Sequence, residues 1–245
     1  MSVAEGTRWS GADWADQQTD ITLIGVGGIG SWTALALSRI GHNITIIDPD
    51  IVDVTNVKGG QFYKKSNIGE PKVECVKKNI LELGCSNDII TIADYFEDAE
   101  QMDSICISAL DNMETRKNAF NSWMSFVETE RKHIAPMPAI FIDGRLLLET
   151  LEIFAVDYDN KDAIKEYQEK WLFEDKDVPD LDCTSKQTTF SAMIIGGLIT
   201  SVLCNFLTNC KLAMEFRDVP FHQRMYLPIF DYKLKDVELC QTKPF

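Results

Sequence analysis

The residues best placed to do chemistry begin with Gly25-Val26-Gly27-Gly28-Ile29-Gly30. A glycine loop of this spacing, set between a strand and a helix, brings phosphate oxygens up to backbone N–H groups at the helix N-terminus. Its glycines permit the turn and remove side chains that would block the approach. Asp48 closes the next apolar run. A carboxylate there accepts hydrogen bonds from ribose hydroxyls. Loop and acid together suit a dinucleotide cofactor and a nucleoside triphosphate alike. Further along lie Lys72 near a helix start, Asp111 at the end of an apolar run, Arg145 in Asp143-Gly144-Arg145, and Cys183 in a polar loop.

These residues need a scaffold, and the chain supplies one. Residues 21–26 are a short apolar run, 31–40 have helical apolar spacing, and 44–47 are β-branched and apolar. That is a strand, turn, helix, strand unit whose strands read as continuous apolar runs, as buried parallel strands do. Residues 71–83 read as a helix with proline in its first turn. Strands are expected at 89–93 and 104–110, a helix at 115–127, a strand at 139–142 ending in Asp143-Gly144-Arg145, and another at 146–156. Residues 225–231 and 232–239 suggest a final hairpin or edge strand, with Pro228 favouring an edge. The alternation gives an α/β fold: a Rossmann-like, doubly wound sheet, mostly parallel, with an antiparallel C-terminal part. Residues 1–245 are read as a single domain, with an N-terminal arm at 1–20 and a loop or insertion over the active face at 157–186.

Composition bounds the partners. Lys plus Arg is 24 against 38 Asp plus Glu, a net charge of −14. That much acid argues against nucleic acid or an anionic membrane as partner, though not against a nucleotide pocket, which needs only local cations and amides. The N-terminus has neither the basic nor the apolar region of a signal peptide, so a cytoplasmic location is expected. There, the seven cysteines are expected to be reduced. None form CxxC, so no zinc is expected. Residues 190–207 carry no charge. Their serines, threonine, asparagine and Gly-Gly pair favour a buried or subunit-interface helix over a membrane span.

The segments after Asp48 are Asp48-Pro49-Asp50-Ile51-Val52-Asp53-Val54-Thr55-Asn56, Gln61-Phe62, Asn67-Ile68-Gly69-Glu70-Pro71-Lys72-Val73-Glu74 and Ala109-Leu110-Asp111-Asn112. With the glycine loop in front, this succession resembles the ThiF/MoeB adenylyltransferase family, which includes the ubiquitin-activating enzymes. The resemblance is strong over residues 20–120 and loose beyond. It implies an ATP- and Mg²⁺-dependent adenylyltransferase acting on the C-terminal glycine carboxylate of a ubiquitin-like protein, a sulfur-carrier protein or a peptide. Two anions meet in that reaction, so positive charge is needed where charge develops. By resemblance, Asp48 holds the ribose with help from Asp50, Lys72 holds the phosphates, and Asp111 holds Mg²⁺. Asn56, Gln61 and Asn112 line the nucleotide site. A homodimer is implied, formed through the charge-free helix and burying Ile194, Ile195 and Leu198.

Each role has a plainer counterpart. Lys72 shares its helix with Lys77 and Lys78 and could be one charge on a solvated face. Asp111 could cap the following helix. Asp50 and Asp53 could be turn residues. An NAD(P)-dependent oxidoreductase would use the loop and Asp48, but it gives no reason for Lys72 or for Asp111-Asn112. A pseudoenzyme or scaffold is the other alternative, because the chain departs from the family at one point. The usual Asn-x-x-Arg-Gln run is here Asn56-Val57-Lys58-Gly59-Gly60-Gln61, one residue longer and without the arginine. A preorganised donor at a developing charge is worth roughly 3–4 kcal/mol. Lys58, Arg145 (read at a strand end) and Arg8 on the arm are the candidate replacements. Cys183, near Lys186 and a helix N-terminus, sits where a thiol pKa can fall, and its place resembles that of the reactive cysteine of the thiamine-pathway members. Asp180 and Asp182 oppose the thiolate. Cys106, Cys204 and Cys210 lie in apolar runs and are read as core.

Overall fold

The computed structural model describes residues 7–15, 18–85, 88–96, 102–133, 137–173, 188–214 and 216–235. Among these, eight strands form one sheet: β1 (Asp20–Ile24), β2 (Asn43–Ile47), β3 (Ile89–Ile92), β4 (Ile105–Ser108), β5 (Ile140–Leu147), β6 (Thr150–Asp157), β7 (His222–Tyr226) and β8 (Asp231–Lys235). Their order is β3-β2-β1-β4-β5-β6-β7-β8. The pairs from β3 through β5 are parallel, and those from β5 to β8 are antiparallel. Strand order reverses between β1 and β4, and the crevice beyond the carboxyl ends of such strands is where open α/β sheets bind ligands.

The two sheet faces are covered by different helices. On one face, α1 (Gly28–Arg39), α3 (Lys72–Leu81) and α6 (Thr189–Leu212) pack Leu37, Val76 and Ile199 onto Leu23, Ile46 and Ile142. On the other, α4 (Met113–His133) and α5 (Lys161–Glu166) pack Phe120, Trp123 and Ile164 onto Cys106, Phe141 and Phe154. Ile140, Phe141 and Ile142 are all buried because alternate side chains of β5 enter alternate cores. A short helix, α2 (Val54–Lys58), follows β2. A π-helical stretch, Tyr167–Trp171, follows α5 and buries Tyr167 completely.

Several expected boundaries shift for physical reasons. β5 does not stop before Asp143-Gly144-Arg145. It runs through them to Leu147 and pairs with β6 from Ile140↔Asp157 to Leu147↔Thr150. A Cβ on Gly144 would lie 2.8 Å from Ile199 Cδ1, so the glycine is there for α6 to pack closely, not to end the strand. The C-terminal hairpin is present as β7–β8, but Pro228 lies in the 3-10 turn Leu227–Ile229 between the two strands rather than in an edge strand. The described part of the insertion, through residue 173, packs on the α4 face of the sheet.

α6 is long and apolar enough to span a membrane, but most of it is buried within the chain. Thr188 and Ser191 form a capping box at its start. Gly196 lets α1 approach, since a Cβ there would sit 3.0 Å from the Thr33 amide nitrogen. Ile195 is fully buried against the chain's own core, which corrects the expectation that it faces a partner, whereas Ile194 is 37% exposed. The described arm residues dock at the far end of α6. Lys211 Nζ donates to the Asp13 carbonyl at 2.9 Å, Arg217 pairs with the Asp13 carboxylate, and Trp9 stacks on Trp14.

Candidate functional site

The glycines of the loop have separate duties. Gly25 has φ +86°, and a Cβ there would lie 2.8 Å from the Ala109 carbonyl oxygen. A Cβ on Gly30 would fall 1.9 Å from the Gly25 carbonyl oxygen. These two positions let the loop fold onto itself and onto the end of β4. Gly27 is different: nothing lies within 4 Å of a Cβ there, so it opens onto free space. Gly27 is also the N-cap of α1, and no side chain caps the helix. The first amides of α1 therefore face that space without a side-chain acceptor, as anion binding requires.

Asp48, at the end of β2, is 5% exposed. Its Oδ2 accepts from the Val26 amide at 2.8 Å and its Oδ1 from the Asp50 amide at 2.9 Å. Burial raises its carboxyl pKa, with Lys72 and the two amides opposing. Each carboxylate oxygen keeps acceptor capacity for a hydroxyl. The Tyr63 hydroxyl donates to the Val26 carbonyl at 2.5 Å, tying the loop from the other side.

Lys72 opens α3 behind Pro71, and its amide donates to the Asp50 carbonyl at 2.9 Å. Its Nζ is 2.7 Å from Asp50 Oδ2, and the side chains are 10% and 63% exposed respectively. The solvated-face reading of Lys72 is thereby overturned: the stem is buried and the ammonium is aimed at the Asp48–Asp50 turn. Asn56 and Asp53 are a capping pair for α2. Asp53 accepts from the Asn56 amide at 3.0 Å and Asn56 Oδ1 accepts from the Asp53 amide at 2.8 Å. Lys58, in the last turn of α2, is exposed.

The longer run after Asn56 has a packing reason. Gly60 has φ +75°, and a Cβ there would overlap Thr189 of α6, 1.7 Å from Oγ1. Its carbonyl accepts from Trp32 Nε1 at 3.0 Å. Gln61 then lines a cavity of about 160 Å³ with Trp32, Phe62 and Asn79.

Across the switch point, the Ala109 amide donates to the Ile24 carbonyl at 2.8 Å, which fixes the Ala109–Asn112 turn beside the glycine loop. Asn112 Oδ1 accepts from the Thr115 amide at 2.8 Å, so Asn112 rather than Asp111 caps α4. Asp111 is exposed.

Arg145 is not at a strand end. It lies within β5, on the α4 side of the sheet, with Nε 2.7 Å from Asp143 Oδ2 and Nη2 2.9 Å from the Trp171 carbonyl. Its guanidinium also covers the Phe154 ring at 4.6 Å. It does not join the glycine-loop cluster. Arg8 is exposed on the arm, and Cys183 lies outside the described residues. Sequence reasoning missed Arg116, which is 5% exposed and paired with the fully buried Asp143. Placed between Thr115 and Lys117, it gave no pattern of burial.

The ThiF family model matches residues 15–130. The chain is 33% identical over 81 residues to the tRNA threonylcarbamoyladenosine dehydratase of Bacillus subtilis, covering 33% of this chain and 32% of that protein. It is 29% identical over 135 residues to the NEDD8-activating enzyme E1 catalytic subunit of Arabidopsis thaliana, covering 51% and 29% respectively. These matches thus span about a third of the curated relatives' length. The fold is similar to the crystal structure of E. coli MccB with ATP, with a TM-score of 0.65 at 14% identity, covering 94% of this chain and 68% of that one.

Proposed function

The chain belongs to the ThiF family through residues 15–130, and on that premise we propose that it adenylates a carboxylate with ATP. One observation carries the reading above all: a buried lysine, Lys72, paired with Asp50 next to Asp48 and the glycine loop. The NAD(P) reading gives no reason for that lysine.

In this reading the ATP phosphates lie over Gly27 and the first amides of α1, and the ribose hydroxyls bind Asp48. Lys72 turns from Asp50 toward the phosphates as they arrive. Asp111 holds Mg²⁺ from the β4 side. The ion commonly uses one or two carboxylates plus phosphate oxygens, so a single exposed aspartate across the crevice fits it. Gln61, Asn56 and Asn112 line or support the nucleotide site. A carboxylate oxygen of the substrate attacks the α-phosphorus, the bond to the bridging oxygen breaks, and pyrophosphate leaves with its electron pair. Lys58 supplies the charge that the family's arginine would bring, because Arg145 is engaged by Asp143.

The substrate in this reading is the C-terminal glycine carboxylate of a ubiquitin-like or sulfur-carrier protein or of a peptide. The B. subtilis relative is named for a tRNA nucleoside. A net charge of −14 disfavours a polyanion here. Cys183 is the proposed acceptor when the acyl group is transferred onward, and a homodimer is the proposed assembly.

The test is ATP–pyrophosphate exchange with peptides ending in Gly-Gly, run beside NADH and ATP titrations. Exchange is expected. ATP binding without exchange on any substrate would mark a nucleotide-binding scaffold, and NADH binding in preference to ATP would mark an oxidoreductase.

A further inference from the structure

Asp143 lies opposite Ser108 in the register of β4 and β5, at the edge of the parallel sheet, and is fully buried. Its oxygens are divided. Oδ1 accepts from Arg116 Nε at 2.8 Å, while Oδ2 accepts from Arg145 Nε at 2.7 Å and from the Tyr167 hydroxyl at 2.9 Å. Both guanidiniums reach on to backbone. Arg116 Nη2 donates to the carbonyl of Leu110, the residue before Asp111. Arg145 Nη2 donates to the Trp171 carbonyl at 2.9 Å. One buried carboxylate therefore fastens two segments, the Ala109–Asn112 turn and the π-helical stretch.

A second buried guanidinium on one carboxylate is costly unless its hydrogen bonds are used. Here they are used on main-chain carbonyls, which fixes positions rather than filling volume. Arg116 holds the β4 turn from the face of the sheet opposite α1 and α3, while Arg145 holds the π-helical stretch on that same face.

We infer that Arg116, seated on Asp143, is a positioning residue that holds the Leu110–Asp111 turn against the crevice and so sets where the Asp111 carboxylate stands. The inference rests on the ATP reading only for what Asp111 does, not for how it is held.

Hydrogen–deuterium exchange on the full chain tests the holding directly. Lysine at position 116 keeps the charge but cannot span Asp143 and the Leu110 carbonyl together. In Arg116→Lys, amides 113–116 are expected to exchange roughly tenfold faster, while those of the glycine loop stay within about twofold. The Mg²⁺ concentration for half-maximal ATP–pyrophosphate exchange is expected to rise at least roughly fivefold, with the KM for ATP within about threefold. Tyr167→Phe removes one hydrogen bond to Asp143 without losing volume. It is the milder variant should Arg116→Lys not fold, and is expected to loosen the same amides by about two- to threefold. Unchanged exchange at 113–116 in a folded variant overturns the inference, and so does equal loosening of residues 25–30. A parent protein that shows no pyrophosphate exchange defeats the ATP reading, and the amide measurement still decides the positioning.

Discussion

Lys72 Nζ lies 2.7 Å from Asp50 Oδ2, and the lysine is the buried member of the pair. An ion pair with one partner in water contributes little, about 0–1 kcal/mol. Asp50→Ala is therefore expected to leave stability within about 1 kcal/mol by denaturant unfolding. Lys72→Ala is expected to cut ATP–pyrophosphate exchange by about 10²- to 10³-fold, the scale for removing a donor at a developing charge. Exchange within a few-fold of the parent in Lys72→Ala would return the lysine to a packing role.

The glycine loop offers a paired test. Gly30→Ala forces a Cβ to 1.9 Å from a backbone oxygen, so the loop must move. It is expected to lower Tm and abolish ATP binding together. Gly27→Ala meets no neighbouring atom. It is expected to keep Tm while weakening ATP at least roughly tenfold, because the methyl occupies the space the phosphates need. Calorimetric titration with ATP separates the two. An ATP affinity unchanged in Gly27→Ala would move the phosphates elsewhere.

The contrast between these glycines and Arg145 explains what was legible in the sequence. Apolar runs and the glycine spacing are local, and they announced β1, β2 and β4 within a residue or two and α1 within three. Gly144-Arg145 looked like a strand end because glycine and arginine are poor strand residues in isolation. What keeps them in β5 is tertiary: α6 lies over Gly144, and Asp143 neutralises Arg145. Helical spacing alone did not separate Lys72 from Lys77 and Lys78; the resemblance singled it out, and the Asp48–Asp50 turn packed against α3 is what buries it. Arg116 needed Asp143, 27 positions away, to reveal it.

Asp143 carries a pH signature. Burial would raise its carboxyl pKa, but Arg116 and Arg145 prevail and hold it below the ordinary 3.8. The unfolded chain thus takes up this proton first as pH falls. The contribution to stability is present above 3.8 and is lost as pH drops from there through the folded value. Asp143→Asn leaves two buried guanidiniums without a counter-charge and is expected to cost about 3–5 kcal/mol at neutral pH. Denaturant unfolding of parent and variant between pH 2 and 7 should show the difference shrinking only on the acid side. A constant difference would remove the ion pairs as its cause.

The same pairing separates Arg145 from Lys58. Arg145→Ala is expected to reduce stability by about 3–5 kcal/mol, since it breaks a buried pair. Lys58 is exposed at the end of a five-residue helix. Lys58→Ala is expected to leave unfolding within about 0.5 kcal/mol of the parent and to lower pyrophosphate exchange at least roughly tenfold. Unaltered exchange in Lys58→Ala would exclude it as the replacement for the missing arginine.

Arg8 is tested through the proposed dimer. Along α6, Phe190, Met193, Ile194 and Gly197 are exposed at helical spacing, an apolar stripe beside the buried one. The arm docks near Lys211, at the end of α6 remote from Thr189 and Gly60. Ile29 of the glycine loop meets Ile199, midway along α6, over Gly144, and in the dimer reading Arg8 serves a partner's site. Ile194→Glu, which puts a charge on the stripe while the side chain stays partly exposed, is expected to give monomers in sedimentation velocity with unchanged circular dichroism. With Lys58 as the cation, that monomer keeps its pyrophosphate exchange within a few-fold of the parent. A monomer that loses exchange, and an Arg8→Ala dimer that loses it equally, would assign the charge to the partner's arm instead.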